Sequence, residues 1–183
     1  TVAVMACGLG LCIYMFSFIN TTLLKPLPFK EGERMVVINA VQGGMTYNGS
    51  SMSPHDFLDI KEQSTSFDSI GVYSSVTANV SGGDRAVRYG AIMAEPEMFH
   101  YTGVAPIMGR VFNEQDATKG ANPVAVIGHE MWQNYFGGRS DILGHEFFNN
   151  GIKTEVIGVM PEDYLFPINN TLWLPYTEDI QSL

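Results

Sequence analysis

From Thr1 to Leu24 the chain carries no charged side chain, and its apolar residues are densest from Val2 to Ile19. At ~1.5 Å per residue, 24 helical residues span about 36 Å, enough for a hydrocarbon core of ~30 Å. The pattern predicts a transmembrane helix over residues 1–24. Ala3, Ala6, Cys7 and Gly10, spaced by three and four, share one face on which a second helix could approach closely. Leu9, Leu11, Ile13 and Phe16 supply bulk elsewhere around the helix. A signal peptide is the competing reading. It wants a basic start and a small-residue cleavage site, whereas the chain opens on Thr1 without Lys or Arg. A buried core helix is the third reading, and 24 uncharged residues is long for one.

Beyond the head the periodicity shortens and breaks. Lys25-Pro26-Leu27-Pro28-Phe29 ends the helix, because two prolines remove donors and force extended geometry. Met35 to Ala40 is an apolar, β-branched run expected to be a strand, and Gly43 to Ser51 a mobile loop. Ser53-Pro54-His55-Asp56 reads as a helix start, with Ser53 as cap, and the helix should fade near Gln63 to Thr65. Phe67 to Tyr73 then reads as a second strand, which makes a strand–helix–strand unit. From Val76 the pattern changes to short strands with Gly-containing turns. Thr77 to Val80 and Arg85 to Met93 should pair as a hairpin about Ser81-Gly82-Gly83-Asp84. Glu95 to Tyr101 is expected to be a short helix and Pro123 to Ile127 a buried strand. His129 to Phe136 reads as a helix stopped by Gly137-Gly138. Asp141 to Phe148 and Lys153 to Val159 should pair about Asn149-Asn150-Gly151. The expected class is α+β, preceded by a hydrophobic helix.

Charge changes the picture in one respect. All 29 charged residues (10 Lys+Arg, 19 Asp+Glu, net −9) lie in the 159 residues from Lys25 onward. This acidic balance argues against nucleic acid, whose phosphates are met by Lys/Arg clusters. Both cysteines, Cys7 and Cys12, lie in the head, five residues apart and pointing different ways on a helix. The remainder therefore has no thiol for a disulfide, a Cys-based metal site or a nucleophile.

Candidate chemistry is sparse. His55, Asp59 and Glu62 share a helix face, but no further His or Cys completes a four-ligand set, and a solvated polar face is the better reading. His129-Glu130 and His145-Glu146 lack the second His four residues on that a zinc protease needs. There is no phosphate loop, so the chain is not expected to hydrolyse ATP; Gly8-Leu9-Gly10 sits inside the apolar head, and no G-x-S-x-G elbow occurs. Triplets of glycosylation type begin at Asn20, Asn48, Asn79 and Asn169 and read as coincidence. Two aromatic clusters, Met131-Trp132 with Tyr135-Phe136 and Phe166 with Trp173, read as core packing rather than a ligand site. No catalytic residue, cofactor-binding residue or metal ligand is assigned, and no enzyme activity is expected.

The order of short motifs says more. Phe16-Ser17-Phe18-Ile19-Asn20 and Leu23-Leu24-Lys25-Pro26-Leu27-Pro28-Phe29 resemble the end of the first transmembrane helix in MacB/FtsX-like ABC transporter permeases. The likeness continues through Ser53-Pro54-His55-Asp56-Phe57-Leu58-Asp59, Ser66 to Ile70, Met98-Phe99, Gly103-Val104-Ala105-Pro106, Gly109-Arg110-Val111-Phe112 and Asp116. It ends with Val124 to Gly128, Trp132, Tyr135 to Gly138, Val156 to Pro161 and Leu172-Trp173-Leu174-Pro175. The chain thus resembles the first part of a MacB-like periplasmic core domain with its preceding helix. The resemblance implies a porter-like subdomain beginning at residues 25–75 and a β-rich periplasmic subdomain over 76–183, within a longer permease. It implies a bacterial inner-membrane location with residues 25–183 facing the periplasm. The implied partners are a cytoplasmic ATPase subunit or domain and a second permease copy, then a periplasmic adaptor and an outer-membrane channel. Export or efflux is the implied function, with motion of the membrane helices passed to the periplasm. Gly103 and Gly109 are expected in turns stiffened by Pro106, and Arg110 to anchor a loop through Asp116. A porter-like sheet lacking later strands is expected to leave an edge on which another copy could pair. The alternative is a secreted or membrane-tethered ligand-binding module whose pocket uses Trp132/Tyr135 or Phe166/Trp173.

Overall fold

The computed structural model describes residues 2–20, 29, 32–38, 41–42, 45–46, 52–82 and 86–177. It divides into two compact units, Thr1–Val36 and Val37–Leu183. In the first, helix α1 (Val2–Ile19) runs 18 residues with no acidic residue in its first turn and no basic one in its last. A 3-10 turn at Gly32–Arg34 follows, closed by a bond from the Met35 N–H to the Gly32 carbonyl (3.4 Å). Among the described residues no helix is long and apolar enough to cross a membrane. At ~1.5 Å per residue α1 itself measures about 27 Å. Residues 21–28, which hold the end of the predicted span and most of the proline junction, lie outside the described residues.

The second unit opens with a minimal antiparallel pair, β1 (Val41–Gln42) and β2 (Met45–Thr46). Helix α2 (Pro54–Gln63) starts where the sequence predicts. Proline stands at its first positions and the Phe57 N–H donates to the Ser53 carbonyl (3.0 Å), but the Ser53 side chain makes no capping bond. Seven strands then form the main sheet: β3 (Tyr73–Ser81), β4 (Val87–Ala94), β5 (Met108–Gly109), β6 (Val124–Ile127), β7 (Glu146–Asn149), β8 (Ile152–Val159) and β9 (Leu172–Pro175). Two six-residue helices, α3 (Glu97–Thr102) and α4 (His129–Asn134), connect them.

The strand order is β5-β8-β6-β9-β4-β3-β7, and β7 also pairs with β8. Six strands therefore close into a ring, β8-β6-β9-β4-β3-β7, with β5 attached to β8. Closure satisfies edges that an open sheet would leave unpaired. β8 serves three neighbours by dividing its length: Ile152–Glu155 pairs with β7, Glu155–Val159 with β6 in parallel, and Gly158–Val159 with β5. A bulge at Ala125/Val126 skips Ile157. Inside the ring lie Ala78, Val80, Ala91, Ala125, Ile127, Phe147, Val156, Val159 and Leu172, joined by Met131 of α4 and Ile142. β3 shows the two-residue period plainly, with Ala78 and Val80 buried and Thr77 and Asn79 exposed. All four residues of β6 are buried, as its unbroken Val-Ala-Val-Ile run predicts.

Four expectations need correction. Met35–Ile38 is not a strand, and residues 39–40 lie outside the described ones; the nearest described strand is β1, because Val41–Gln42 pairs with Met45–Thr46. For the same reason the segment read as a loop contains β2. Phe67–Val72 is not a strand either. It lies as a strap on α3, where a Cβ at Gly71 would meet Tyr101 Oη at 2.9 Å and Met98 Sδ at 3.0 Å. The strap ends at Val72, whose N–H donates to Glu95 Oε2 (3.0 Å) while the Glu95 N–H donates to the Val72 carbonyl (3.3 Å). Both strands expected to flank α2 are therefore absent from the described residues. Finally, Asp141–Gly144 is a turn, not the start of β7; it drives Ile142 into the core and is held by the Gly144 N–H on the Val156 carbonyl (2.9 Å). The β3–β4 and β7–β8 pairings form as predicted, although residues 83–85 of the first turn lie outside the described ones.

Candidate functional site

Where α3 meets β9, four aromatic rings pack on one another. Phe99 lies edge-on to Phe112 (centroids 5.5 Å) and to Trp173 (6.3 Å), and stacks with Tyr164 (6.3 Å). Trp173 is 1% exposed and its Nε1–H donates to the Phe166 carbonyl (2.9 Å). The polar atoms here are paired. Thr102 Oγ1 donates to the Phe99 carbonyl (3.0 Å) and lies 3.2 Å from Tyr164 Oη. Burial pushes the Tyr164 phenol up to about 12, against a smaller opposing effect of the Thr102 bond. This phenol is neutral at any physiological pH. The Phe166/Trp173 pair is thus a packed wall.

β5 sits beside this wall and exists because two glycines let backbones touch. A Cβ at Gly109 (φ +73°) would fall 2.1 Å from the Ile157 carbonyl oxygen, and one at Gly158 would fall 2.2 Å from that of Arg110. Only glycine fits either place. The next residue, Arg110, grips Asp116 with two parallel bonds, Nη1 to Oδ2 (2.5 Å) and Nη2 to Oδ1 (3.0 Å). Asp116 Oδ2 also accepts the Asn113 N–H (2.8 Å), and Asn113 Oδ1 accepts the Asp116 N–H (3.0 Å). The guanidinium holds the Asp116 carboxyl below the usual carboxylate range. Between them Phe112 is driven inward to 2% exposure. The loop anchor expected at Arg110 and Asp116 is present in this form. Gly103 also takes its expected role, closing α3 in the left-handed region (φ 63°).

The other aromatic cluster surrounds α4. Tyr135 lies edge-on to Tyr89 (6.1 Å) and Phe136 (4.9 Å), and Phe136 to Phe147 (5.9 Å). Trp132 Nε1–H donates to the Arg139 carbonyl (2.9 Å), which folds the Gly137-Gly138 exit back on the helix. These rings support the ring's core.

Two cavities among the described residues are open to solvent. One of about 260 Å³ is lined by Lys61, Ser64, Phe67, Asp68, Ser69, Ile70 and Glu97. The other, of about 390 Å³, lies between α4 and the 161–171 loop, with His129, Glu130, Gln133, Glu162, Asp163 and Asn170 among its walls. Neither of these two is lined by Trp132, Tyr135, Phe166 or Trp173. Among the described residues no group of three His, Cys, Asp or Glu could hold a metal ion, which includes His55, Asp59 and Glu62 on α2. Glu95, Tyr164, Thr102 and Gly158 carry contacts that the sequence reading did not single out. For Gly158, a glycine inside the Val156–Val159 strand pattern was a usable signal of close backbone approach.

The comparisons decide the family. The model of the MacB-like periplasmic core domain matches residues 1–183. The chain belongs to that family. The fold agrees: the periplasmic region of MacB from Actinobacillus actinomycetemcomitans superposes with a TM-score of 0.60 at 18% identity, covering 76% of this chain and 63% of that one. The extracellular domain of the noncanonic ABC-type transporter YknZ from Gram-positive bacteria superposes at 0.58 with 19% identity, covering 70% and 65%. The chain therefore spans under two thirds of either relative's own length. Among curated proteins nothing matches. As a MacB-like periplasmic domain, the chain is of the kind carried by ABC-type transporter permeases. The Gly109–Asp116 brace and the Trp173 wall are thus features of a transporter domain's scaffold.

Proposed function

We propose that residues 25–183 are the periplasm-facing domain of a bacterial inner-membrane ABC-type permease, and that residues 1–24 are its first transmembrane helix. The family match over the whole chain carries this reading. The head's uncharged sequence, with Leu9, Phe16 and Phe18 exposed on α1, supports the membrane assignment. A separate cytoplasmic ATPase subunit or domain binds and hydrolyses the ATP. A second permease copy pairs with this one, and a periplasmic adaptor with an outer-membrane channel extends the path outward. The domain works mechanically, without catalytic residues or cofactor. Closure of the membrane helices is passed through Lys25–Phe29 into a porter-like part (25–75, completed by later segments) and a β-rich part (76–183), which move substrate outside the membrane. Such transmission needs stiff, packed parts, and the bidentate Arg110–Asp116 brace and the closed strand ring supply them. A flexible Gly/Ser linker inserted after Leu24 in the full-length protein should leave ATP turnover intact while transport is lost. Unchanged transport would defeat the mechanism.

A further inference from the structure

The ring closes at an unequal set of seams; β6–β9 and β3–β7 each have two residue pairs, and the second is reinforced by a single side chain. β3 and β4 pair through eight residue pairs, whereas among the described residues β3 and β7 pair only at Val80↔Asn149 and Ser81↔Phe148. Asn150, at the tip of the β7–β8 hairpin (φ 49°), fastens this seam. Its Oδ1 accepts the Asn79 N–H (3.0 Å) and Asn79 Nδ2 (2.7 Å), its Nδ2 donates to the Thr77 carbonyl (3.1 Å), and its own N–H donates to the Asn79 carbonyl (3.0 Å). Beside it, Asn149 is 9% exposed and its Oδ1 has no partner, so the seam also contains a destabilising buried acceptor.

Asn150 is followed by Gly151, and nothing stands within 4 Å of where a Cβ on Gly151 would be. Gly151 carries no side chain, so nothing on that residue hinders the approach of Asn150 Cγ to its nitrogen once the Asn150 side chain is released. We propose that Asn150 is a deamidation site gated by opening of the β3–β7 seam, and that its conversion unfastens the ring. Hydroxide removes the Gly151 amide proton, and the nitrogen attacks Asn150 Cγ. The N–Cγ bond forms, the Cγ–Nδ2 bond breaks, and ammonia leaves with a proton from water. Water then opens the succinimide to aspartate or isoaspartate. While the seam is shut, both ends of the side-chain amide are held on β3, and attack waits for opening. Either product lacks the Nδ2–H that meets the Thr77 carbonyl and sets a carboxylate oxygen against it. Isoaspartate also lengthens the backbone within a two-residue turn and disturbs the β7–β8 register.

The test is peptide mapping of the 183-residue chain, solubilised in detergent and aged at mildly alkaline pH, folded and in urea, for aspartate and isoaspartate at position 150. The folded chain should convert at least about tenfold more slowly. Asn79→Ala, which removes one of the bonds holding the amide, should raise the folded rate by about fivefold. Asn150→Asp, the product itself, should speed hydrogen exchange of the Val80 and Ser81 amides and leave Val126 and Ile127 unchanged. Equal conversion folded and unfolded would overturn the gating, and wild-type protection in Asn150→Asp would overturn the clasp. If Asn79→Ala unfolds the chain, a series of sub-denaturing urea concentrations on the wild type replaces it, and a folded rate insensitive to urea overturns the gating.

Discussion

The head helix and the strand ring use the same apolar residue types in opposite ways. On α1, Leu9 is 62% and Phe16 68% exposed, and exposed apolar side chains continue from Met5 to Ile19. In the ring, β3 alternates buried and exposed positions, β6 is buried throughout, and the largest buried side chains, Trp173 and Phe147 foremost, are shut away. A helix that is apolar all round has no water-facing side and requires an apolar surrounding, whereas an alternating strand makes its own interior. Stability of the ring and placement of the head are therefore separate properties, each answerable to its own substitutions.

The largest expected effect lies in the ring. Trp173→Ala removes the wall shared by Phe99 and Tyr164 and should cost about 3–5 kcal/mol, read as a lowered denaturant midpoint, with membrane association of the full-length protein unchanged. Leu9→Arg should do the reverse. On the proposed membrane assignment, insertion becomes less favourable by about 3 kcal/mol, the fraction resisting alkaline extraction falls, and the ring's denaturant midpoint stays put. A midpoint that moved with Leu9→Arg would break the separation. Asp116→Asn should cost about 1–2 kcal/mol, since Asp116 is mostly buried and also holds the Asn113 N–H, while Arg110 remains half in solvent. Because the folded Asp116 pKa lies below its unfolded value, its stabilisation is present above about pH 4 and lost as pH falls through the folded pKa. A stability–pH curve for Asp116→Asn should lack that acid limb. The smallest effect is Tyr164→Phe, about 1 kcal/mol. The Tyr164 pKa is raised, so its contribution is full below pH 10 and declines towards about 12; the Phe variant should lose that alkaline slope.

Much of the ring was legible in the sequence because its signals are local. The Asn150-Gly151 turn fixes the β7–β8 hairpin, Val-Ala-Val-Ile announces a strand buried on both faces, and Gly137-Gly138 follows the end of α4 in the left-handed region. The Arg110–Asp116 brace followed from family resemblance, since six residues of spacing carry no charge-pair signal of their own. Ring closure was not legible. It depends on β8 serving three partners, and pairings between distant segments leave no periodic trace. The strap at Phe67–Val72 misled because it lies against α3 at Gly71 and pairs with no strand among the described residues, and Gly71 was the residue that could have warned of close approach.

The most direct test of the periplasmic-domain account is fractionation of the natural full-length protein, with protease added to intact spheroplasts. The account predicts that the protein stays in alkali-washed membranes and that protease supplied from outside cleaves it within residues 25–183. A soluble product trimmed near residue 20, or a region cleaved only after the cells are broken, would contradict it.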